Sequence, residues 1–328
     1  AVYPDSTAVG VVEVPLLNMG DTNLYPNMEE EDGAVRITLT EDHRVLSQKE
    51  QERAVWRNNF KDIIIDGLGI YCVIPQGTLK DGDDVNALFR NLTGKTAADG
   101  NVVVCTDKEG VQHIIVYSYV GDRIYYIASM AGTYSLIFNS KDFTDLRDDW
   151  AKDSIDFITA RELFSGIGDG LFAPDSPMTR AMFVSVLYRL AGSPEIELEG
   201  VNDFTDVPAD TWYSKAVAWA SANGIVSGYG DGTFGPDDEI TREQMCVIFG
   251  LYMKFAGIQL DQSEEIIPFL DEESIGGYAR EAVTLCQSTG LISGVGDNTF
   301  LPKGKANRDQ VAAIFSRLIH KVLESKIK

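Results

Sequence analysis

The sequence predicts an α+β chain in two parts: a β-rich N-terminal module, then an all-helical region built from three copies of one unit. Three observations predict it. Residues 1–142 hold short runs rich in β-branched and aromatic residues, with turn signals between them. Beyond residue 143, apolar residues recur at helical spacing. Finally, the stretch SGYGDGTFGPDDEITREQ at 227–244 recurs 62 residues earlier as SGIGDGLFAPDSPMTRAM and 66 residues later as SGVGDNTFLPKGKANRDQ. Self-similarity at a long period marks a supersecondary unit that cannot bury its apolar face alone.

In the first part, GAVRITLT (33–40), GLGIYCVI (67–74), NVVVCT (101–106), VQHIIVYSYV (111–120), DRIYYIAS (122–129) and TYSLIF (133–138) read as strands. Val111–Val120 and Arg123–Ala128, joined by Gly-Asp, read as a hairpin. Helices are expected over 47–60 (SQKEQERAVWRNNF) and 84–92 (DVNALFRNL), while residues 1–32 give no clear element. The last strand runs almost directly into the first repeat, so the module is taken as 1–142 and the repeats as 143–203, 204–268 and 269–328.

Each repeat reads as helix, glycine turn, helix. Trp212, Ala216, Val217 and Ala220 fall on one stripe of a first helix, and Trp150 and Tyr278 open the same stripe in the other copies. Gly224 and Gly290 stand where a left-handed C-cap suits glycine. Glu162 takes that place in repeat one, which costs roughly 1 kcal/mol or forces a different helix ending. The second helix opens at Thr241 with a capping box to Gln244, and Asn307 with Gln310 is its counterpart in repeat three. Thr179 has the cap, but Met182 cannot complete the box.

Composition narrows the function. With 44% hydrophobic and 24% charged residues the chain is globular, and no run of about 18 apolar residues spans a membrane. The net charge is −22, and both parts are acidic, by nine in residues 1–142 and thirteen in the rest. Nucleic acid and anionic membranes are therefore unsuitable partners. Four cysteines lack CxxC spacing, and Cys246 and Cys286 lie among apolar neighbours, as small buried thiols do. The first residues, AVYPDSTAVG, show no basic-then-apolar leader, so a leader has been removed or the chain is a piece of a longer one.

The elements Phe-x-Asp, a Trp at the first helix, Gly-Ile, a G-Y-x-D-G-T-F-x-P loop and a Thr-Arg helix start recur in order three times over residues 143–319. In this the chain resembles bacterial surface-layer homology (SLH) proteins. The resemblance implies a pseudo-threefold arrangement of the repeats about a three-helix core. It also implies a monomer with internal symmetry, non-covalent attachment to the cell wall and location at the cell surface. The ligand implied is an anionic secondary cell-wall polysaccharide, often carrying pyruvylated amino sugars. No cofactor or metal and no catalytic residue is implied, and the N-terminal module becomes the part displayed.

The residues suit that chemistry. Arg180, Arg242 and Arg308 stand in the first turn of a helix, beside free backbone N–H groups and the positive dipole end, where a guanidinium fork can hold a planar carboxylate. Trp150 and Trp212 serve either as core or as stacking aromatics for sugar rings, with Tyr229 and Thr241 beside them in the motif. The glycine turns let backbone approach a sugar closely. Asp145, Asp206 and Asp271, at the Phe-x-Asp position, are sugar hydroxyl acceptors or turn supports. Repeat two keeps every element, so its groove is expected to matter most. Repeat three has Tyr278 for Trp, Asn307 for Thr and a helix entry loosened by Gly276-Gly277, and repeat one has Ile167 for Tyr229.

Rival readings fare worse. A calcium loop would need oxygen ligands where GDGTFGPDDEI places Phe234, Gly235 and Pro236. A phosphate-binding loop would need a following Lys-Ser/Thr after a strand. An enzyme in residues 1–142 lacks HExxH and GxSxG, and of three histidines His113 falls in a β run, although a carboxylate pair or an adhesin or spacer role stays open.

Overall fold

The computed structural model describes residues 100–107, 109–120, 124–128, 132–146, 150–196, 204–262 and 266–327, together with the backbone of seven strands before residue 74. Contacts divide the chain into two compact units: residues 1–141 with 159–162 and 326–328, and residues 142–158 with 163–325.

The first unit holds twelve strands among the described residues: β1 (Ala8–Glu13), β2 (Leu17–Met19), β3 (Thr22–Glu31), β4 (Ala34–Thr40), β5 (Val55–Arg57), β6 (Ile63–Asp66), β7 (Gly69–Val73), β8 (Asn101–Thr106), β9 (Gln112–Ile114), β10 (Ser118–Val120), β11 (Ile124–Ala128) and β12 (Gly132–Phe138). They form a five-stranded sheet in the order β10-β11-β7-β1-β5 and a seven-stranded one in the order β2-β3-β4-β6-β12-β8-β9. The six runs read as strands all hold strands, and β10 and β11 form the expected hairpin, with Ser118 opposite Tyr126. Residues 111–120 are not one strand, however. The Ser118 hydroxyl donates to Ile115 O at 2.7 Å and bends the chain, so β9 pairs with β8 in one sheet and β10 with β11 in the other. The helix expected over 47–60 is contradicted at Val55–Arg57, which is strand; the rest of it and the helix expected over 84–92 lie outside the described residues. Strands also run through residues 8–31, where the sequence showed no element.

The core of this unit gathers Val102, Val104 and Ala160, with Ile114 against them. Asn139 Nδ2 donates to Ala160 O at 2.6 Å. Arg161 is buried, its guanidinium on Ser118 O and Oγ, and burial pulls its pKa down to about 9. His113 sits in β9 opposite Cys105, with Nε2 2.7 Å from Asp107 Oδ2.

The second unit is helical. Three short first helices, α1 (Lys152–Ala160), α3 (Ser214–Ala222) and α5 (Arg280–Ser288), alternate with three long ones, α2 (Arg180–Leu190), α4 (Arg242–Phe255) and α6 (Arg308–Ile327). Phe183 of α2, Phe249 of α4 and Phe315 of α6 touch one another pairwise, with ring centroids 5.0–5.7 Å apart, and each is buried. No helix among the described residues is long and apolar enough to cross a membrane.

The three repeats are tied in a closed cycle of backbone bonds. Met178 N donates to Ala306 O, Ala306 N to Ile240 O, and Ile240 N back to Met178 O. Each residue lies two before the helix-start arginine of its own repeat. The first-helix stripe is shorter than the sequence suggests. Trp150, Trp212 and Tyr278 each stand two residues ahead of their helix, where the chain is not yet helical, while Ala216, Val217 and Ala220 are buried as expected. Gly224 and Gly290 adopt the left-handed C-cap, both at φ 66°. Glu162 does the same at φ 58°, so repeat one keeps the ending and carries the strain.

Candidate functional site

The long helices begin where one repeat meets the next. Thr241 Oγ1 accepts Gln244 N at 3.3 Å and Gln244 Oε1 accepts Thr241 N at 3.0 Å, completing the expected capping box; Thr179 makes the cap alone. At Asn307 the box does not form. Gln310 Oε1 instead accepts from Arg242 Nη1, and Gln310 N donates to Asp309 Oδ1. The expectation of free N–H groups at these helix starts is overturned. Arg180 N and Ala181 N donate to Asp238 O and Pro236 O, Arg242 N and Glu243 N to Gly304 O and Pro302 O, and Arg308 N and Asp309 N to Ser176 O and Pro174 O. The loop of the following repeat thus satisfies the donors that an anion would have used.

The three arginines are buried and latched to the same neighbour. Arg180 Nε donates to Phe234 O at 2.9 Å, Arg242 Nε to Phe300 O at 2.7 Å and Arg308 Nε to Phe172 O at 2.7 Å. Their Nη2 atoms reach Ser227 O, Ser293 O and Ser165 O, at the start of the glycine turn. Each guanidinium also lies 4.5–5.0 Å from the ring centroid of the phenylalanine whose carbonyl it holds. Burial lowers the pKa of all three. Of five N–H groups, Arg180 and Arg308 spend two on these carbonyls; Arg242 spends a third on Gln310. What remains is one edge of each fork.

The Phe-x-Asp carboxylates resolve as turn supports. Asp145 receives Phe172 N and Ala173 N, Asp206 receives Phe234 N and Gly235 N, and Asp271 receives Phe300 N and Leu301 N, all at 2.6–2.8 Å. Ala173, Gly235 and Leu301 have φ of 59°, 71° and 58°, so the carboxylate clamps a left-handed turn that only one repeat fills with glycine. Burial raises the Asp145 and Asp271 pKa values, but the backbone donors outweigh it and hold both below the ordinary aspartate range. The first glycine of each turn is needed for packing rather than for a ligand: a Cβ on Gly228 would fall 2.2 Å from Thr233 O and 2.6 Å from the Phe204 ring. Asp231 is consumed by its own turn, with Oδ1 accepting from both Thr233 N and Thr233 Oγ1.

The aromatic residues at the first-helix entry face solvent. Trp150, Trp212 and Tyr278 are 60%, 63% and 62% exposed, and it is Trp219 that fills the core. A cleft of about 290 Å³ combines Trp150 of repeat one, Arg242 of repeat two, and the turn 292–295 with Gln310 and Arg317 of repeat three. A second, of about 450 Å³, combines Arg180 of repeat one, the turn 225–229 with Gln244 and Leu251 of repeat two, and Tyr278 of repeat three. A third, of about 340 Å³, brings Trp212 to Ser185 and Arg189. The first two follow one cyclic rule: the arginine of one repeat, the turn and long helix of the next, the aromatic of the one after. Reading a groove within repeat two is therefore corrected, because Arg242, Trp212 and Tyr229 are assigned to three different surroundings.

Repeat three is not loosened at Gly276-Gly277. Glu243, buried in the first turn of α4, accepts Gly276 N at 2.9 Å, Tyr278 Oη at 2.7 Å and Lys303 Nζ. A Cβ on Gly276 would strike the Tyr278 ring at 2.7 Å, so glycine admits the pinned tyrosine. Glu243 carried no motif signal. Tyr229 is half-exposed, its hydroxyl on Asp238 Oδ2 and its ring 4.9 Å from the Arg180 guanidinium.

Residues 142–182, 203–246 and 268–312 match the family described as S-layer homology domain. The chain carries three S-layer homology domains. Among its relatives are an amylopullulanase of Thermoanaerobacterium thermosulfurigenes, 31% identical over 62% of this chain and 11% of the relative, and a surface-layer 125 kDa protein of Lysinibacillus sphaericus, 26% identical over 53% and 14%. A cellulosome-anchoring protein of Acetivibrio thermocellus is 27% identical over 48% of this chain and 35% of the relative. The chain thus spans a small fraction of the curated relatives it matches. S-layer homology domains are an anchoring part, not a catalytic one, and mark a secreted cell-surface protein attached to the cell wall.

Proposed function

We propose that this S-layer homology chain attaches to the wall by holding an anionic, pyruvylated secondary cell-wall polysaccharide in the clefts where its repeats meet. The observation that carries the reading is the cleft of Arg242, Trp150 and the 292–295 turn. An exposed indole, a guanidinium with unused N–H groups and open backbone meet there, with no acid among the described lining residues, in a chain of net charge −22. A ketal carboxylate would take the free edge of Arg242 while the sugar face stacks on Trp150. Arg180 with Tyr229, and Arg308 by its equivalent place, supply the corresponding edges.

The repeats 143–203, 204–268 and 269–328 act as one monomeric pseudo-trimer about a three-helix core, and residues 1–142 are the module it displays. No catalytic step is assigned to the chain. The test is co-sedimentation with purified sacculi that retain the secondary polymer. The full chain should pellet with them, and Trp150→Ala should weaken this about three- to tenfold with unchanged melting. Equal pelleting with sacculi stripped of the polymer overturns the reading.

A further inference from the structure

The long helices align at a position that no motif marks. Nine residues beyond each helix-start arginine stand Arg189 in α2, Leu251 in α4 and Arg317 in α6. Arg189 Nη1 donates to Leu163 O at 2.9 Å and Arg317 Nη1 to Leu291 O at 3.2 Å, the same carbonyl in two repeats, just after the first-helix cap. Both side chains are half-buried. Leu251, at the rim of the surface, has no such bond to make.

The consequence differs from cleft to cleft. Arg317 lines the same cleft of about 290 Å³ as Arg242 and Trp150, so two guanidiniums line one cavity with no acidic side chain among the described lining residues. Leu251 lines the cleft of Arg180, Tyr229 and Tyr278, which holds one guanidinium among phenols and apolar groups. Two guanidiniums lining one cleft offer paired positive charge to an anion, and one carboxylate neutralises only one of them.

We propose that Arg317 is a specificity-determining residue that makes its cleft read a doubly anionic glycan unit, while Leu251 leaves the Arg180 cleft to a singly charged one. This rests on the carbohydrate-binding reading above. It makes the clefts unequal by the number of negative charges each accepts, and it places the more demanding site across repeats one, two and three at Trp150.

The experiment uses the full chain labelled with ¹⁵N and two probes: the methyl glycoside of a pyruvyl-ketal N-acetyl amino sugar, with one charge, and the glycosyl methyl phosphate diester of the same ketal, with two. The readout is the indole N–H of Trp150, one of four tryptophans, assigned by its loss in Trp150→Phe. At this signal the phosphate-bearing probe should bind about tenfold tighter than the methyl glycoside. Arg317→Leu should abolish that preference, bringing the affinity for the phosphate-bearing probe down to that for the methyl glycoside. Arg317→Gln, which keeps a donor for Leu291 O, is measured alongside and should lose the preference equally. Both probes binding with no preference in the parent, or an undiminished preference in either variant, overturns the inference and leaves the anchoring reading standing. A Trp150 signal that neither probe moves overturns both.

Discussion

Arg242→Ala is expected to destabilise the helical unit strongly. The sequence alone reads this arginine as a first-turn guanidinium held ready for a carboxylate. In the structure it is buried and donates to Phe300 O at 2.7 Å, Ser293 O at 2.9 Å and Gln310 Oε1 at 3.2 Å. A hydrogen bond to a charged group contributes about 1.5–3 kcal/mol, and truncation leaves its acceptors to be desolvated without a partner. The three bonds share one guanidinium and do not add in full, so about 3–5 kcal/mol is the expected loss. For a unit of this size, that lowers Tm by roughly 6–20 °C. Arg242→Lys should recover only part, since one ammonium cannot span a turn carbonyl, a loop carbonyl and a glutamine. Calorimetry on the parent and both variants decides it. A Tm for Arg242→Ala within about 2 °C of the parent would show that the latch carries no stability and refute the reasoning.

Glu162→Gly should raise stability by about 0.5–1 kcal/mol, seen as a Tm higher by about 2–3 °C, because it relieves a left-handed residue whose side chain is held by an exposed ion pair with Lys141 and a 3.4 Å bond from Asn139 Nδ2; no gain would mean that these two contacts compensate the strain. The carboxyls of Asp145 and Asp271 have lowered pKa values in the folded state, so their stabilisation is present above the unfolded value and is lost as pH falls through the folded one. Denaturation followed below about pH 4 should accordingly be less steep in Asp271→Asn than in the parent, and parallel curves would contradict it. A fragment of residues 204–262 should give no cooperative melt, because Ile240 N and the Arg242 and Glu243 backbone donors all bond to other repeats; a sharp transition would show that one repeat is self-sufficient.

Local physics made much of the fold legible. Thr241 and Gln244 announce a capping box, Gly224 and Gly290 announce a left-handed cap, and the β-branched runs from 101 to 138 announce strands, because each depends on neighbours a few residues away. The same locality explains the errors. Trp212 shares a helical period with Ala216, yet the helix begins at Ser214, and a period cannot say where the first turn closes. Ser118 ends a β run through a hydroxyl bond to Ile115 O that no propensity carries. Glu243 is an acid in the first turn of a helix, an ordinary dipole partner in sequence, and becomes the buried anchor of Gly276, Tyr278 and Lys303 only because repeat three folds against it.

The sequence places the groove within one repeat for a reason that follows from the symmetry. A motif repeated three times invites its elements to be assembled within one copy, and repeat two, with every element intact, becomes the natural choice. Closure of the cycle forbids that assembly. The Met178, Ile240 and Ala306 backbone bonds and the paired N–H donors at each helix start hand every repeat's second helix to the loop of the next. An arginine at that helix start therefore faces a turn it is not contiguous with, and the aromatic completing the cleft comes from the third copy. The consequence for variation is specific. Tyr278, where the other repeats have tryptophan, lines the cleft of Arg180, and Leu251, at the place held by Arg189 and Arg317 in the other long helices, lines that same cleft. Both departures thus fall on one cleft, leaving the Trp150 cleft with tryptophan and two arginines. Two of the departures that look scattered over the repeats thus meet in the Arg180 cleft, while the Trp150 cleft has Val295 where repeat two has Tyr229.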